Sequence, residues 1–195
     1  MASFTTRPVI MGTRGVVTSG HYLATAGGFR IMERGGNAVD AAAAMGFCLN
    51  LLEPQSNGIG GEVPILVYSA REGKAFAISG VGWNAAAFTI DWCREHGIDL
   101  IPGDGYLPAC VPAPVDTWGT ALARFGTLRF ADALQPAIEL AENGFPIYEG
   151  LREHLAANRE KYLTRYPTTG ALYLPGGRFR QLRHDQGAVR IGGQA

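Results

Sequence analysis

Residues 38–52, Ala-Val-Asp-Ala-Ala-Ala-Ala-Met-Gly-Phe-Cys-Leu-Asn-Leu-Leu, constrain the fold more than any other stretch of this chain. The sequence predicts a helix here that is apolar on every side, and such a helix must lie inside a domain. Its four consecutive alanines let neighbouring elements approach closely. The uncharged part, 41–52, is too short to span a bilayer and contains Asn50. Both ends are marked. Gly35 and Gly36 suit a left-handed stop for a preceding helix. Asn37 can then cap the new one, with Asp40 near its positive end. Pro54 blocks continuation. The preceding helix, expected over 21–34, is passably amphipathic (Leu23, Ala24, Phe29, Ile31, Met32) and weakened by Gly27 and Gly28.

A chain of 195 residues is long enough to bury a substantial core. Seventeen basic residues balance seventeen acidic ones, so bulk charge draws in neither nucleic acid nor anionic lipid. Residues 1–12 contain no apolar signal-peptide core. Cys48, Cys93 and Cys110 have no metal-ligand spacing and read as reduced thiols of a cytoplasmic protein, with Cys48 a small buried hydrophobe. His21, His96, His154 and His184 are scattered, so no metal site is expected. His21 suits a cap or the edge of the core, and His154 a solvated helix face.

Strands are expected at 14–19, 63–70 and 75–79, the last two joined as a hairpin through Arg71-Glu72-Gly73-Lys74. Helices are expected at 89–96, 114–124, 130–143 and 149–163, with Pro136 kinking or breaking the third of these. Trp92 and Trp118 fall on helices as core residues. Asp104, between Gly103 and Gly105, reads as a turn residue. Gly58-Ile59-Gly60-Gly61 lacks the Gly-Lys-Ser/Thr of a phosphate loop and reads as a turn bringing backbone close to the sheet. This order is not regular βαβ alternation; it fits an α+β domain of helices on an antiparallel sheet.

His21-Tyr22-Leu23-Ala24-Thr25, Gly35-Gly36-Asn37-Ala38-Val39-Asp40-Ala41-Ala42, Leu52-Glu53-Pro54 and Gly58-Ile59-Gly60-Gly61 resemble the N-terminal segment of γ-glutamyltranspeptidases. The likeness resumes at Val111-Pro112. It continues through Arg124-Phe125-Gly126-Thr127-Leu128, Gln135-Pro136-Ala137-Ile138-Glu139-Leu140-Ala141 and Glu142-Asn143-Gly144-Phe145-Pro146-Ile147. The resemblance implies an α+β fold that is part of the αββα sandwich of an N-terminal-nucleophile hydrolase. In that family a precursor cuts itself into two subunits. The new N-terminal threonine of the small subunit attacks an amide carbonyl, and the acyl-enzyme passes its acyl group to water or an amine. This chain looks like the first part of the large subunit: an extension at 1–12, the family-like region at 13–181 and a non-matching tail at 182–195.

The resemblance implies no cofactor and places no catalytic residue in this chain, because the family's Thr-Thr-His-type nucleophile block has no counterpart here. Thr168-Thr169-Gly170 lacks the histidine and reads as loop. Glutamyl-specific members place an arginine just after the second hairpin strand, where its planar guanidinium pairs with the substrate α-carboxylate. That position is Val81 here, and no arginine or lysine lies between Ala75 and Thr89. Trp83 and Asn84 flank it as candidate acyl-pocket residues. Glu62 stands where many members have glycine and reads as a local departure, not a catalytic acid.

The expectation is therefore an amidohydrolase or acyltransferase fragment, inactive alone, whose amide substrate binds only when it is completed. The tail reads as truncated or frame-shifted sequence. Two alternatives stand beside this reading: a non-catalytic α+β binding module, or a large-subunit piece completed by a separate small-subunit-like chain. Alone, the fragment is expected to expose strand edges and an apolar sheet face, and to self-associate.

Overall fold

The computed structural model describes residues 9–174; the tail at 182–195 and residues 1–8 of the extension lie outside them. Helix α1 (Tyr22–Glu33) leads through Gly35 into α2 (Ala38–Leu52). Strands β1 (Ile65–Ser69) and β2 (Lys74–Ile78) form an antiparallel hairpin with Ile65 opposite Ile78 and Val67 opposite Phe76. Short helix α3 (Ile90–Glu95) precedes α4 (Pro114–Phe125) and α5 (Phe130–Asn143). Helices α6 (Glu149–Ala157), α7 (Arg159–Thr164) and α8 (Pro167–Tyr173) follow.

Helix α2 is the centre. No residue from Val39 to Leu52 is exposed, as a helix without a polar face requires. Phe47, Cys48 and Leu52 join Trp118 and Leu122 of α4 and Ala133 and Ala137 of α5 in one core. Burial pushes the Cys48 thiol up to about 12, so it behaves as a small hydrophobe. Gly27 and Gly28, which weaken α1 by propensity, are buried where it meets its neighbours. A Cβ on Gly28 would stand 3.1 Å from the Ala41 carbonyl oxygen, and one on Gly27 would stand 3.2 Å from Pro136 Cβ. Here close packing outweighs the roughly 1 kcal/mol cost of a mid-helix glycine. Helix α5 runs unbroken through Pro136, which is buried at this contact.

The N-terminus of α2 is knit to the α4–α5 loop. Asn37 accepts from Val39 N at 2.8 Å and Asp40 N at 3.2 Å, and Asp40 answers by accepting from Asn37 N at 2.7 Å. This is a reciprocal capping box. The fully buried Asp40 carboxylate also accepts from Thr127 N and Leu128 N, each at 3.1 Å, and from Thr127 Oγ1 at 2.7 Å. Asn37 Nδ2 donates to Phe125 O at 2.6 Å.

The inner hairpin face, Ile65, Val67, Phe76 and Ile78, turns toward the helices, and Phe76 meets Phe125 at 5.1 Å between ring centroids. The other face leaves Leu66 84% and Tyr68 70% exposed. The αββα sandwich expected from the resemblance is not seen whole: the described residues hold one hairpin and its helices, and both strands have an unpaired outer edge.

Five local expectations are corrected. Residues 14–19 form no strand, because nothing among the described residues pairs with them. The helix expected over 149–163 divides at Asn158, whose side-chain amide donates to His154 O at 3.0 Å and competes with the helical ladder. Thr168-Thr169-Gly170 lies inside α8, started by Pro167 at its first position, and not in a loop. Trp92 is not core: α3 buries no residue, and the indole stacks on His96 at 4.0 Å. His154 is half-buried and paired with Tyr162 Oη at 2.9 Å instead of facing solvent.

Two predictions follow from these contacts. Replacing Asp40 by Asn keeps the shape but turns one carboxylate oxygen, each of which faces at least two of the four donors, into an NH₂ group. Hydrogen bonds to a charged group contribute about 1.5–3 kcal/mol each, so D40N should cost at least ~3 kcal/mol. A urea titration followed by far-UV circular dichroism reads this directly; a midpoint within error of the parent would refute it. His21 caps α1 by accepting from Leu23 N through Nδ1 at 3.2 Å, which requires an unprotonated Nδ1. Burial lowers its pKa, against an opposing pull from Glu53. The cap's contribution is thus complete above the ordinary imidazole value of ~6.5 and fades as pH falls toward the lower folded value. Melting temperature should therefore drop between pH 7 and pH 5 by more in the parent than in His21→Asn, whose cap does not titrate in this range; parallel slopes would exclude the effect.

Candidate functional site

The residues singled out in sequence, Val81, Trp83 and Asn84, leave the hairpin at a crossing of three extended segments. Val63 N donates to Gly80 O at 2.9 Å, continuing the β1–β2 pairing past Ile65 and Ile78. Val111 N donates to Trp83 O at 2.9 Å, and Ala113 N donates to Gly61 O at 3.1 Å. These bonds close a ring: 61–63 to 80, 83 to 111, 113 back to 61. Pro114 then starts α4, so the ring is anchored to a core helix whose Thr117 Oγ1 donates to Ala113 O at 2.8 Å.

Two glycines allow the crossing. Gly80 has φ of +59°, a left-handed conformation that costs other residues. A Cβ on Gly82 would collide with the Val111 carbonyl oxygen, so only glycine passes there. The side chains between and beyond point outward: Val81 is 51% exposed, Trp83 is 87% exposed, and Asn84 is exposed. The structure thus brings the three residues to one rim.

Beside the ring lies a cavity of about 400 Å³ lined by Asn50, Gln55, Ser56, Asn57, Glu62 and Trp118 among others. Gln55 Nε2 donates to Tyr148 Oη at 2.7 Å, while its Oε1 is buried without a protein partner. Glu62 is exposed at this cavity. The Gly58–Gly61 turn is not pressed against the sheet, contrary to the expectation from sequence: a Cβ on Gly60 would meet nothing within 4 Å. Among the described residues this turn has no steric need for three glycines.

No nucleophile with an adjacent base converges here. Thr168 and Thr169 sit on α8, Thr168 exposed and Thr169 half-buried. Among the described residues, no three His, Cys, Asp or Glu side chains could hold a metal ion, and no helix is long and apolar enough to cross a membrane. Sequence reasoning missed Asp104 as more than a turn residue, since its partners on α7 and at the α7–α8 junction lie 57–62 positions away and leave no local pattern.

A helical layer on one face of a hairpin, with the other face bare, is a portion of a layered α+β sandwich. The solved γ-glutamyltranspeptidase of Helicobacter pylori superposes with a TM-score of 0.82 at 30% identity, covering 94% of this chain and 52% of that one. The described residues thus share part of the fold of an N-terminal-nucleophile hydrolase. The sequence profile described as gamma-glutamyltranspeptidase matches residues 24–185. The chain is 36% identical over 180 residues to the glutathione hydrolase-like YwrD proenzyme of Bacillus subtilis, covering 88% of this chain and 34% of that protein. It is 38% identical over 176 residues to the acylase ACY 1 proenzyme of Pseudomonas sp. strain V22, covering 85% and 31% respectively. The chain belongs to the γ-glutamyltranspeptidase family, and it spans about a third of the length of these curated relatives.

The crossing itself is testable. Gly82→Ala must push the 80–84 and 111–113 segments apart, so the Trp83–Val111 bond should break. Loss of one such bond, about 1 kcal/mol net, plus the displacement should speed amide exchange at Val111 roughly fivefold or more, with α2 unaffected. Hydrogen-exchange mass spectrometry checks this; unchanged exchange at Val111 would show that the close approach does not matter.

Proposed function

We propose that this chain supplies the large-subunit scaffold of an amide hydrolase or acyltransferase whose acyl group carries no α-carboxylate. The attacking threonine belongs to a small-subunit-like polypeptide. In that reaction a hydroxyl adds to the amide carbonyl, the amine leaves, and the acyl-enzyme is resolved by water or an amine. Backbone amides hold the oxyanion.

The observation that carries the reading is Val81. It stands half-exposed on the rim where the resemblance puts the carboxylate-binding arginine, with the apolar Trp83 close by in the chain. Valine offers neither charge nor donor. A carboxylate brought here would lose hydration without the paired hydrogen bonds that a guanidinium gives. Relatives named both glutathione hydrolase and acylase are consistent with a family that varies its acyl group. The small-subunit-like partner is supported by the bare hairpin face, the unpaired strand edges and the open space at Gly58 and Gly60. A cytoplasmic location is supported by three free thiols, Cys48, Cys93 and Cys110.

The experiment combines the purified chain with a small-subunit half bearing the nucleophile, and measures release of aniline from γ-glutamyl and from neutral acyl anilides. The chain alone should not exceed buffer. The combination should favour neutral acyl groups, and Val81→Arg should move preference toward γ-glutamyl by about tenfold or more, the scale of one charged pairing in a specificity pocket. Turnover by the chain alone, or preference for γ-glutamyl in the parent, would defeat the reading. The non-catalytic module is favoured only by the lack of converging catalytic groups among the described residues. It forecasts no turnover with any complementing half.

A further inference from the structure

Between the hairpin and α4 the chain makes a long excursion, residues 79–113, in which no side chain is buried. It is nevertheless rich in apolar residues: Trp83, Ile90, Leu100 and Tyr106 are 87%, 72%, 86% and 89% exposed. A segment without a core of its own is held by its attachments. At its base two backbone bonds of the crossing, at Gly80 and Ala113, tie it to residues 61–63, and the third, Val111 N to Trp83 O, joins its own two ends.

At its far end the attachment is one carboxylate. Asp104 Oδ2 meets Lys161 Nζ at 2.9 Å and Arg165 Nη1 at 3.1 Å, and Oδ1 accepts from Tyr166 Oη at 2.8 Å. Gly105 N donates to the same Oδ1 at 3.0 Å and fixes the carboxylate's rotamer. Both cations also lie near the Tyr166 ring, Lys161 Nζ at 5.7 Å and Arg165 Cζ at 5.5 Å from its centroid. The Asp104, Lys161 and Arg165 side chains are 39%, 39% and 61% exposed. Salt therefore reaches them: the screening length falls from about 10 Å at 0.1 M to about 3 Å at 1 M.

We propose that residues 79–113 form a hinged arm and that Asp104 is its latch. Undoing the contact with α7 and the α7–α8 junction frees the arm while α1, α2 and α5 stay folded. The latch responds to ionic strength and not to mild acid, since the hydrogen bonds from Lys161 and Tyr166 hold the Asp104 carboxyl down at about 2. The arm's base carries Val81, Trp83 and Asn84, so on the function proposed above the latch state sets how firmly that rim is held. The arm and its latch stand without that reading, and the test below involves no turnover.

Arg94 is the one Lys or Arg between Lys74 and Arg124, so trypsin cuts the arm at a single internal site. In the whole 195-residue chain, Asp104→Ala should raise the initial cleavage rate at Arg94 about fivefold, the scale of one or two exposed ion pairs. Lys161→Met combined with Arg165→Met should do the same from the other side, which a purely local disturbance of the 103–105 turn would not. Raising salt to about 1 M should speed cleavage of the parent, normalised to an unstructured peptide, and leave the Asp104→Ala rate nearly unchanged. Amide exchange in α2 should not alter in any of these. An unchanged rate at Arg94 in both variants would overturn the proposal, and so would a rise in α2 exchange that keeps pace with the cleavage.

Discussion

The Asp40 carboxylate is the contact on which the rest of this architecture depends. Helix α2 is central to the core, and its first turn presents orphan amides that need partners. Asn37 satisfies two of them, and Asp40 returns the bond. Asp40 must itself be compensated, because an unpaired buried carboxylate costs several kcal/mol. Thr127 and Leu128 provide three donors. The loop that supplies them is the one that turns α4 into α5, so a local cap at one helix end sets the positions of two other helices. The apolar contacts of Phe47, Cys48 and Leu52 with those helices then follow from geometry already fixed.

The same economy is missing on the sheet side. The inner face of the hairpin is covered through Phe76 and Val67, while Leu66 and Tyr68 face outward. Beyond the hairpin, order rests on backbone bonds and one ionic cluster. The molecule thus divides energetically. Its helical half is held chiefly by burial, which charge screening does not weaken. Its rim, where Val81, Trp83 and Asn84 stand, is held by a few polar contacts that solvent reaches.

Legibility in the sequence followed that division. The α2 helix, its cap at Asn37 and the hairpin could be read directly, because caps, glycine stops and apolar periodicity act over a few residues. What was hidden acts over long separations. Asp40 is recognisable as the acidic member of a capping box, but nothing local marks Thr127 as its second partner, 87 residues on. Gly27 and Gly28 look like helix weakeners until α2 and Pro136 are set against them. Asp104 looks like a turn former until Lys161, Arg165 and Tyr166 arrive from α7 and the junction that follows it. The break at Asn158 is different: it is local, and the rule that asparagine competes for backbone carbonyls would have found it. For the rim, the letters at 81, 83 and 84 were readable, but the ring of three backbone bonds that gathers them was not.

What the rim can select follows from what it lacks. A site rejects a substrate most strongly when its own buried polar groups would be left unpaired, and Val81 puts no such group at stake. On the function proposed above, with valine at 81, discrimination against a carboxylate-bearing acyl group would come from the substrate's side of the balance, through hydration that is lost and not replaced. Such discrimination grows with the completeness of water exclusion. On the present chain Val81 and Trp83 are open to solvent, so the penalty is nearly nil. On that reading, selectivity of this kind would belong to the assembly with the proposed partner, and whatever covers the rim would decide how much of it is expressed.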